Sequence, residues 1–164
     1  MRPKLLLLTG CFLCAGLAVS AQESTIVKLL NDQLKKEKPM REPGEEIAIV
    51  QPFRIDEQHV LSVEFSDNDP YWNRQRLTRL EVPLNQISSI VKDINVLFES
   101  ENKAVKQTVV VTDSTGKAQA PQVDYTGLFF TQICKERDNA EFRDKMVKAF
   151  RKAGYTIGCV HWYD

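Results

Sequence analysis

The chain has no excess of either charge, with 22 Lys and Arg residues against 22 Asp and Glu residues among 164. A protein that grips phosphates over a broad surface needs a basic excess. The balance therefore disfavours generic nucleic-acid binding, and we expect no nucleic-acid partner. The hydrophobic fraction of 43% and the charged fraction of 27% are typical of one globular domain.

Histidines and common catalytic motifs are scarce. The chain has only two histidines, His59 and His161, and it lacks the HExxH and GxSxG patterns. A catalytic zinc usually takes three protein ligands, and the sequence clusters no such set. Cys159 and His161 would share one face of a strand, but their apolar neighbours and a competing disulfide disfavour a thiol nucleophile. We therefore expect no catalytic residue, no metal site, no cofactor and no enzyme activity.

The first 21 residues have the pattern of a signal peptide. A cationic start precedes an apolar run from Leu5 to Val19, and the small residues Val19 and Ala21 fit a signal-peptidase site. We predict cleavage near Ala21 and a mature protein in the periplasm or outside the cell. Removal of these 21 residues leaves 143 residues, with 20 bases against 22 acids. The mature chain is predicted to contain no transmembrane span.

Lipid attachment is the less favoured alternative for this segment. Leu8-Thr9-Gly10-Cys11 resembles the lipobox of bacterial lipoproteins, in which the cysteine becomes the acylated first residue. Only Leu5 to Leu8 precede the cysteine as an apolar region, and an apolar stretch follows where a polar tether is expected. The chain also has no Asn-x-Ser/Thr sequon, which is compatible with a bacterial envelope protein.

Two cysteines, Cys134 and Cys159, remain in the predicted mature chain. In an oxidising compartment they could form a disulfide, which would stabilise the fold by roughly 3 kcal/mol on the loop-entropy model. Two buried thiols are the alternative, because sequence spacing does not establish proximity. Both interpretations stay open at this level.

The region after the leader begins with a predicted helix. Ser24 is a candidate N-cap, Ile26, Leu30 and Leu34 recur at helical spacing, and Pro39 ends the pattern. This predicts a helix and linker over residues 22–45, followed by one domain over residues 46–164.

Alternation of apolar and polar residues predicts six or seven short strands from residue 46 onward. Asp138 and Glu141 resemble a capping box for an amphipathic helix that ends at Gly154, and residues 155–163 form a last strand or a packed tail. The predicted class is α+β: a curved antiparallel sheet or partial barrel, with an N-terminal helix and a C-terminal amphipathic helix.

The order of elements from Glu46 to Gly154 resembles the pleckstrin-homology-like superfold, in which a C-terminal helix closes one end of a curved sheet. The stretch from Val82 to Ile90, with its apolar-Pro-apolar step, is similar to a strand region of such domains. The resemblance implies a binding domain for phosphoinositides, peptides or proteins. The phosphoinositide ligand is not carried over, because no cationic loop occurs between Ile55 and Leu61.

These patterns predict an exported, non-enzymatic binding or interaction domain of the bacterial cell envelope. A protein, a peptide or a small apolar molecule would be its partner. Tyr71 and Trp72 lie in a polar loop, where large aromatics either contact a partner or fold back on the sheet.

Two alternative functions depend on other residues. A carrier of lipid or small apolar ligands would line its pocket with Phe98, Phe129 and Phe130, although ordinary core packing also explains these rings. A hydrolase with a cryptic site would pair carboxylates, either Glu99 with Glu101 or Glu64 with Asp67.

Overall fold

The computed structural model describes residues 6–41, 47–69 and 74–163; of residues 6–21 and of Asp69 it describes the backbone only. Its architecture confirms the predicted α+β class, with an N-terminal helix, a mainly antiparallel sheet system and a C-terminal helix. The elements of the described chain are α1 (Leu6–Glu37), β1 (Ala48–Ile55), β2 (Val60–Asp69), β3 (Arg74–Pro83), β4 (Ile87–Lys92), β5 (Val96–Ser100), β6 (Val105–Thr112), β7 (Gln122–Thr126), β8 (Leu128–Phe130), α2 (Ala140–Lys152) and β9 (Gly158–Trp162).

The strands form a five-stranded sheet in the order β1-β2-β3-β6-β7 and a four-stranded sheet in the order β8-β5-β4-β9. Neighbouring strands are antiparallel except β4 and β9, which run parallel. The strands of the described chain form no closed barrel. Two of the nine strands were not predicted, for opposite reasons. Nearly every residue of β4 is buried, so its sequence lacks the alternation of a half-buried strand. β7, with the sequence Gln-Val-Asp-Tyr-Thr, does alternate polar and apolar residues, but nearly all of them are exposed, so the strand has no buried apolar face.

The core lies where the two sheets and both helices meet. Four phenylalanine rings cross it in sequence: Phe53 lies 6.3 Å from Phe129, Phe129 lies 6.2 Å from Phe98, and Phe98 lies 5.5 Å from Phe150. Tilted ring pairs at such distances stabilise a core beyond the area that they bury. The core therefore joins β1, β5, β8 and α2 into one unit.

Helix α1 begins earlier than the sequence predicted and belongs to the same core. It starts at Leu6 instead of near Ser24, because the apolar run before Ser24 continues the same helix. The side chains of Ile26 and Leu30 are fully buried within the core of the strand domain. The helical part of the predicted helix-and-linker segment of residues 22–45 is therefore packed against the strand domain. Among the described residues, no helix has the length and apolarity needed to cross a membrane.

Helix α2 has the predicted buried face, formed by Phe142, Met146, Ala149 and Phe150. Its N-cap is Asn139 and not Asp138, and Asn139 makes no side-chain capping hydrogen bond. The predicted capping box is therefore wrong in its detail. Because Asp138 adopts a positive φ of 50°, the chain turns one residue later than the pattern indicated.

Candidate functional site

The segment after α2 places a short strand at the edge of the four-stranded sheet. Gly154 adopts a φ of 89°, a conformation that glycine tolerates without strain, and Tyr155 N–H donates to the carbonyl oxygen of Phe150 at 2.9 Å. This turn sends the chain back beside β4, where Gly158 pairs with Ser89 and Cys159 pairs with Ile90. The predicted last strand is thus present as β9, and its first four residues are exposed.

The flank of α2 that faces away from the core is cationic. Arg143, Lys148, Arg151 and Lys152 lie here, within about two and a half helical turns. Together with Asp144, Val147 and Cys159, they line an open groove of about 680 Å³ beside β9. The groove joins one helix and one edge strand, and we call it the α2–β9 groove.

Most of the positive charge in the α2–β9 groove is not neutralised. The guanidinium of Arg143 donates a hydrogen bond to Asp144 at 2.8 Å, and this bond raises the pKa of Arg143. Within the described parts of the chain, Lys148, Arg151 and Lys152 form no ion pair with an acidic side chain. An anionic partner therefore meets three cations that need not first break an intramolecular salt bridge.

Trp162 contacts Arg143, one of the residues that line the groove. The guanidinium carbon of Arg143 lies 5.8 Å from the centroid of the Trp162 ring, and Lys92 Nζ lies 5.9 Å from it. Contacts of a cation with an indole ring at this distance are attractive. They hold the start of α2 against the end of β9, so the two walls of the groove keep their separation.

A second polar cluster lies where α1 meets the β1–β2 turn. Glu23 is buried, and its Oε1 accepts a hydrogen bond from the Tyr155 hydroxyl at 2.6 Å and lies 2.8 Å from His59 Nδ1. Burial, and then the hydrogen bond to Glu23, raise the pKa of Tyr155. A cleft of about 350 Å³ beside it is lined by Glu23, Asp56 and Glu57 among others. Glu23 is satisfied by side chains of its own chain, and the cluster fastens α1 to the domain.

The structure does not join Cys134 and Cys159 in a disulfide. Cys134 is half-buried, and its backbone N–H donates to Glu37 Oε2 at 2.7 Å. Cys159 is exposed in the α2–β9 groove, contrary to the alternative of two buried thiols. The predicted partner-binding residues Tyr71 and Trp72 lie outside the described residues.

The residues of the catalytic alternatives do not converge. His161 stacks on Tyr163 with 5.8 Å between ring centroids, while His59 contacts Glu23 at the other cluster. Glu64 and Asp67 are three residues apart on β2, so their side chains point to opposite faces of the sheet. Glu99 accepts a hydrogen bond from the Ser89 hydroxyl, and Glu101 lies in an exposed 3₁₀ turn. No group of three metal-ligating side chains occurs among the described residues.

The phenylalanines of the carrier alternative occupy different environments. Phe98 and Phe129 are fully buried and pack against other rings. Phe130 follows Phe129 on β8, points to the opposite face and is 39% exposed. The three rings therefore do not line one pocket, and two of them are ordinary core.

The α2–β9 groove was not found from the sequence. Lys148, Arg151 and Lys152 lie on the polar side of the predicted helix, where such residues are usually solvated. The position of β9 beside them depends on a parallel pairing with a strand more than sixty residues earlier in the chain, which has no local sequence pattern.

Comparisons with known proteins give no relative for this chain. No protein-family model matches it, and searches of curated proteins and of solved structures return no significant match.

Proposed function

We propose that this protein is an exported, non-enzymatic binding domain, and that its partner is an acidic segment of another protein held in the α2–β9 groove. One observation carries the proposal: Lys148, Arg151 and Lys152 line an open groove of about 680 Å³ without an ion pair to any described acidic residue. The predicted mature chain has 20 bases against 22 acids, so this cationic surface is a local feature and not a result of net charge.

The expected affinity is modest and depends on salt. Each exposed ion pair contributes about 0.2–1 kcal/mol, so three or four pairs alone support only weak binding. Salt ions screen these exposed charges, with a Debye length of about 8 Å at physiological ionic strength, and so weaken the ion pairs further. Such a surface suits a transient complex, in which charge attraction speeds association and dissociation is fast.

A peptide-binding measurement tests the proposal. The probe is a fluorescein-labelled peptide of alternating Glu and Val, titrated with the protein in a fluorescence-anisotropy experiment. We expect binding that weakens as salt is raised from 50 to about 300 mM, as screening requires. The variant K148E/R151E/K152E should lose at least about tenfold in affinity through charge repulsion.

The matched control is K38E/K103E/K117E, which makes the same change in net charge at three exposed lysines outside the groove. This control should bind the peptide like the unaltered protein. Equal losses in both triple variants would show an effect of net charge and overturn the assignment to the groove. Binding to vesicles with anionic headgroups but not to the peptide would overturn the proposal of a protein partner.

The location and the structural family of the protein stay predictions. Export depends on the leader pattern of residues 1–21, and the pleckstrin-homology-like resemblance depends on element order alone. Neither is needed for the groove, which is defined by α2 and β9.

A further inference from the structure

We infer that the acidic partner binds in an extended conformation, as an additional strand on the free edge of β9. This inference rests on the proposed function, because it concerns the same groove. Strand addition would add backbone hydrogen bonds to the charge attraction that holds the partner, and it predicts a sequence pattern for that partner.

The first argument is the state of the β9 edge. β9 pairs with β4 on one side, and no described strand pairs with its other side. An edge of this kind presents backbone N–H and C=O groups that another chain can pair with. Proteins often protect such edges with lysine or proline, and the sequence of β9, Gly-Cys-Val-His-Trp, contains neither.

The second argument is the match of spacing between α2 and a strand. Side chains on one face of a strand repeat about every 6.6 Å. Lys148 and Lys152 are one helical turn apart, or about 6 Å along the axis. The cations from Arg143 to Lys152 extend over about 14 Å, close to the length of about 13 Å for the five residues of β9. A strand beside β9 can therefore place every second side chain opposite a cation.

The third argument concerns the side chains on the other face of the added strand. Cys159 lines the groove, and its neighbour Val160 is 62% exposed. The pairing of β9 with β4 shifts by one residue between Cys159 and Trp162, and the exposed Val160 lies in this shift. Because successive residues of the added strand point to opposite faces, alternate residues face away from α2, where an apolar side chain can contact Val160. The partner is then expected to alternate acidic residues, which face α2, with apolar residues, which face Val160.

N-methylated peptides test this inference without altering the protein. In a strand, the N–H groups of alternate residues point to the same edge, so only one set faces β9. Two forms of the Glu-Val peptide are compared, one N-methylated at every Val and one at every Glu. We expect one form to lose at least about tenfold in affinity, because its N–H groups toward β9 are blocked, and the other to stay within about threefold.

The outcomes separate this inference from the proposed function. If both methylated forms bind like the parent peptide, charge alone holds the partner and strand addition is wrong, while the proposed function stands. Equal losses in both forms also overturn strand addition. If the parent peptide itself does not distinguish the protein from K148E/R151E/K152E, the proposed function fails. A block peptide with all Glu before all Val should bind more weakly than the alternating peptide, and equal binding contradicts the predicted pattern.

Discussion

At the scale of single residues, buried carboxylates on α1 attach this helix to distant parts of the chain. Glu37 is fully buried and accepts hydrogen bonds from the backbone N–H groups of Cys134, Lys135 and Glu136 at 2.7, 2.9 and 3.2 Å. Gln33 Nε2 also donates to Glu37, at 3.1 Å. Four N–H donors thus bond to the Glu37 carboxylate, and these hydrogen bonds offset the free-energy cost of burying it away from water.

Replacing Glu37 with Gln should destabilise the protein by about 2–3 kcal/mol. The amide NH₂ of Gln cannot accept a hydrogen bond, so at least one backbone N–H loses its partner in a buried place. Urea denaturation followed by circular dichroism measures this change. The control is Glu57→Gln, at an exposed turn residue, which should change stability by less than about 0.5 kcal/mol. A similar midpoint for both variants would contradict the role of Glu37.

The hydrogen bond from Tyr155 to Glu23 predicts a pH dependence. Burial and this bond raise the pKa of Tyr155 above the ordinary value of 10.0. The unfolded chain therefore releases the phenolic proton first, so the stability contributed by Tyr155 is complete below pH 10 and falls as pH rises above it, by up to about 1.4 kcal/mol per pH unit.

Tyr155→Phe should consequently lower the free energy of unfolding by about 1 kcal/mol at pH 8, through the lost hydrogen bond. At pH 11 this difference should vanish or reverse, because the variant has no phenol to ionise at this position. Urea midpoints at the two pH values measure the effect. Tyr125→Phe, at an exposed residue, is the control and should show no difference at pH 8. A constant difference for Tyr155→Phe at both pH values would refute the pKa shift.

At the scale of elements, the two helices differ in how far their local sequence pattern predicts their contribution to the core. The spacing of apolar residues in α2 predicts its buried face directly. Helix α1 has the same kind of pattern after residue 22, but its contribution to the core appears only when Ile26 and Leu30 meet α2 and the sheets. The boundary predicted at residue 45 therefore does not divide the protein into two cores, because residues on both sides of it belong to one core.

Leu30→Ala should lower the free energy of unfolding by about 2–4 kcal/mol, because a fully buried leucine leaves a cavity when it is shortened. The neighbouring Leu29 is only half-buried, and Leu29→Ala should cost markedly less. Urea denaturation of both variants, in protein that begins at Gln22, makes the comparison at equal helix length. Equal small losses would show that α1 is not part of the core.

At the scale of the whole molecule, two sheets and two helices share one core, and the charge is distributed unevenly over its surface. The cationic groove lies beside β9, while the cleft of Glu23, Asp56 and Glu57 lies where α1 meets the β1–β2 turn. The overall balance of 22 bases and 22 acids conceals this separation. A partner that recognises charge would therefore approach one side of the molecule.

The export prediction also belongs to this scale and is tested by intact mass under non-reducing conditions, on protein purified from the envelope of its own host. We expect a mature chain whose N-terminus is Gln22 and in which Cys134 and Cys159 are not bonded to each other. A chain acylated at Cys11, or one that retains residues 1–21, would contradict cleavage near Ala21. A mass lower by two hydrogens would show that Cys134 and Cys159 are bonded, whereas the structure does not join them.

The sequence by itself determined the α+β class, six of the nine strands and the buried face of α2, because residues that face one core recur with the period of their element; it left β9 open as a strand or a packed tail. It missed β4, which is almost entirely buried and has no period of two, and β7, whose residues Gln-Val-Asp-Tyr-Thr do alternate but are almost all exposed, so that the alternation corresponds to no buried face. Only the tertiary structure decided that Glu37 holds residues 134–136 and that β9 lies beside the cations of α2. Both depend on contacts between residues far apart in the chain, and the physical reason is that such contacts leave no local pattern of polarity to read.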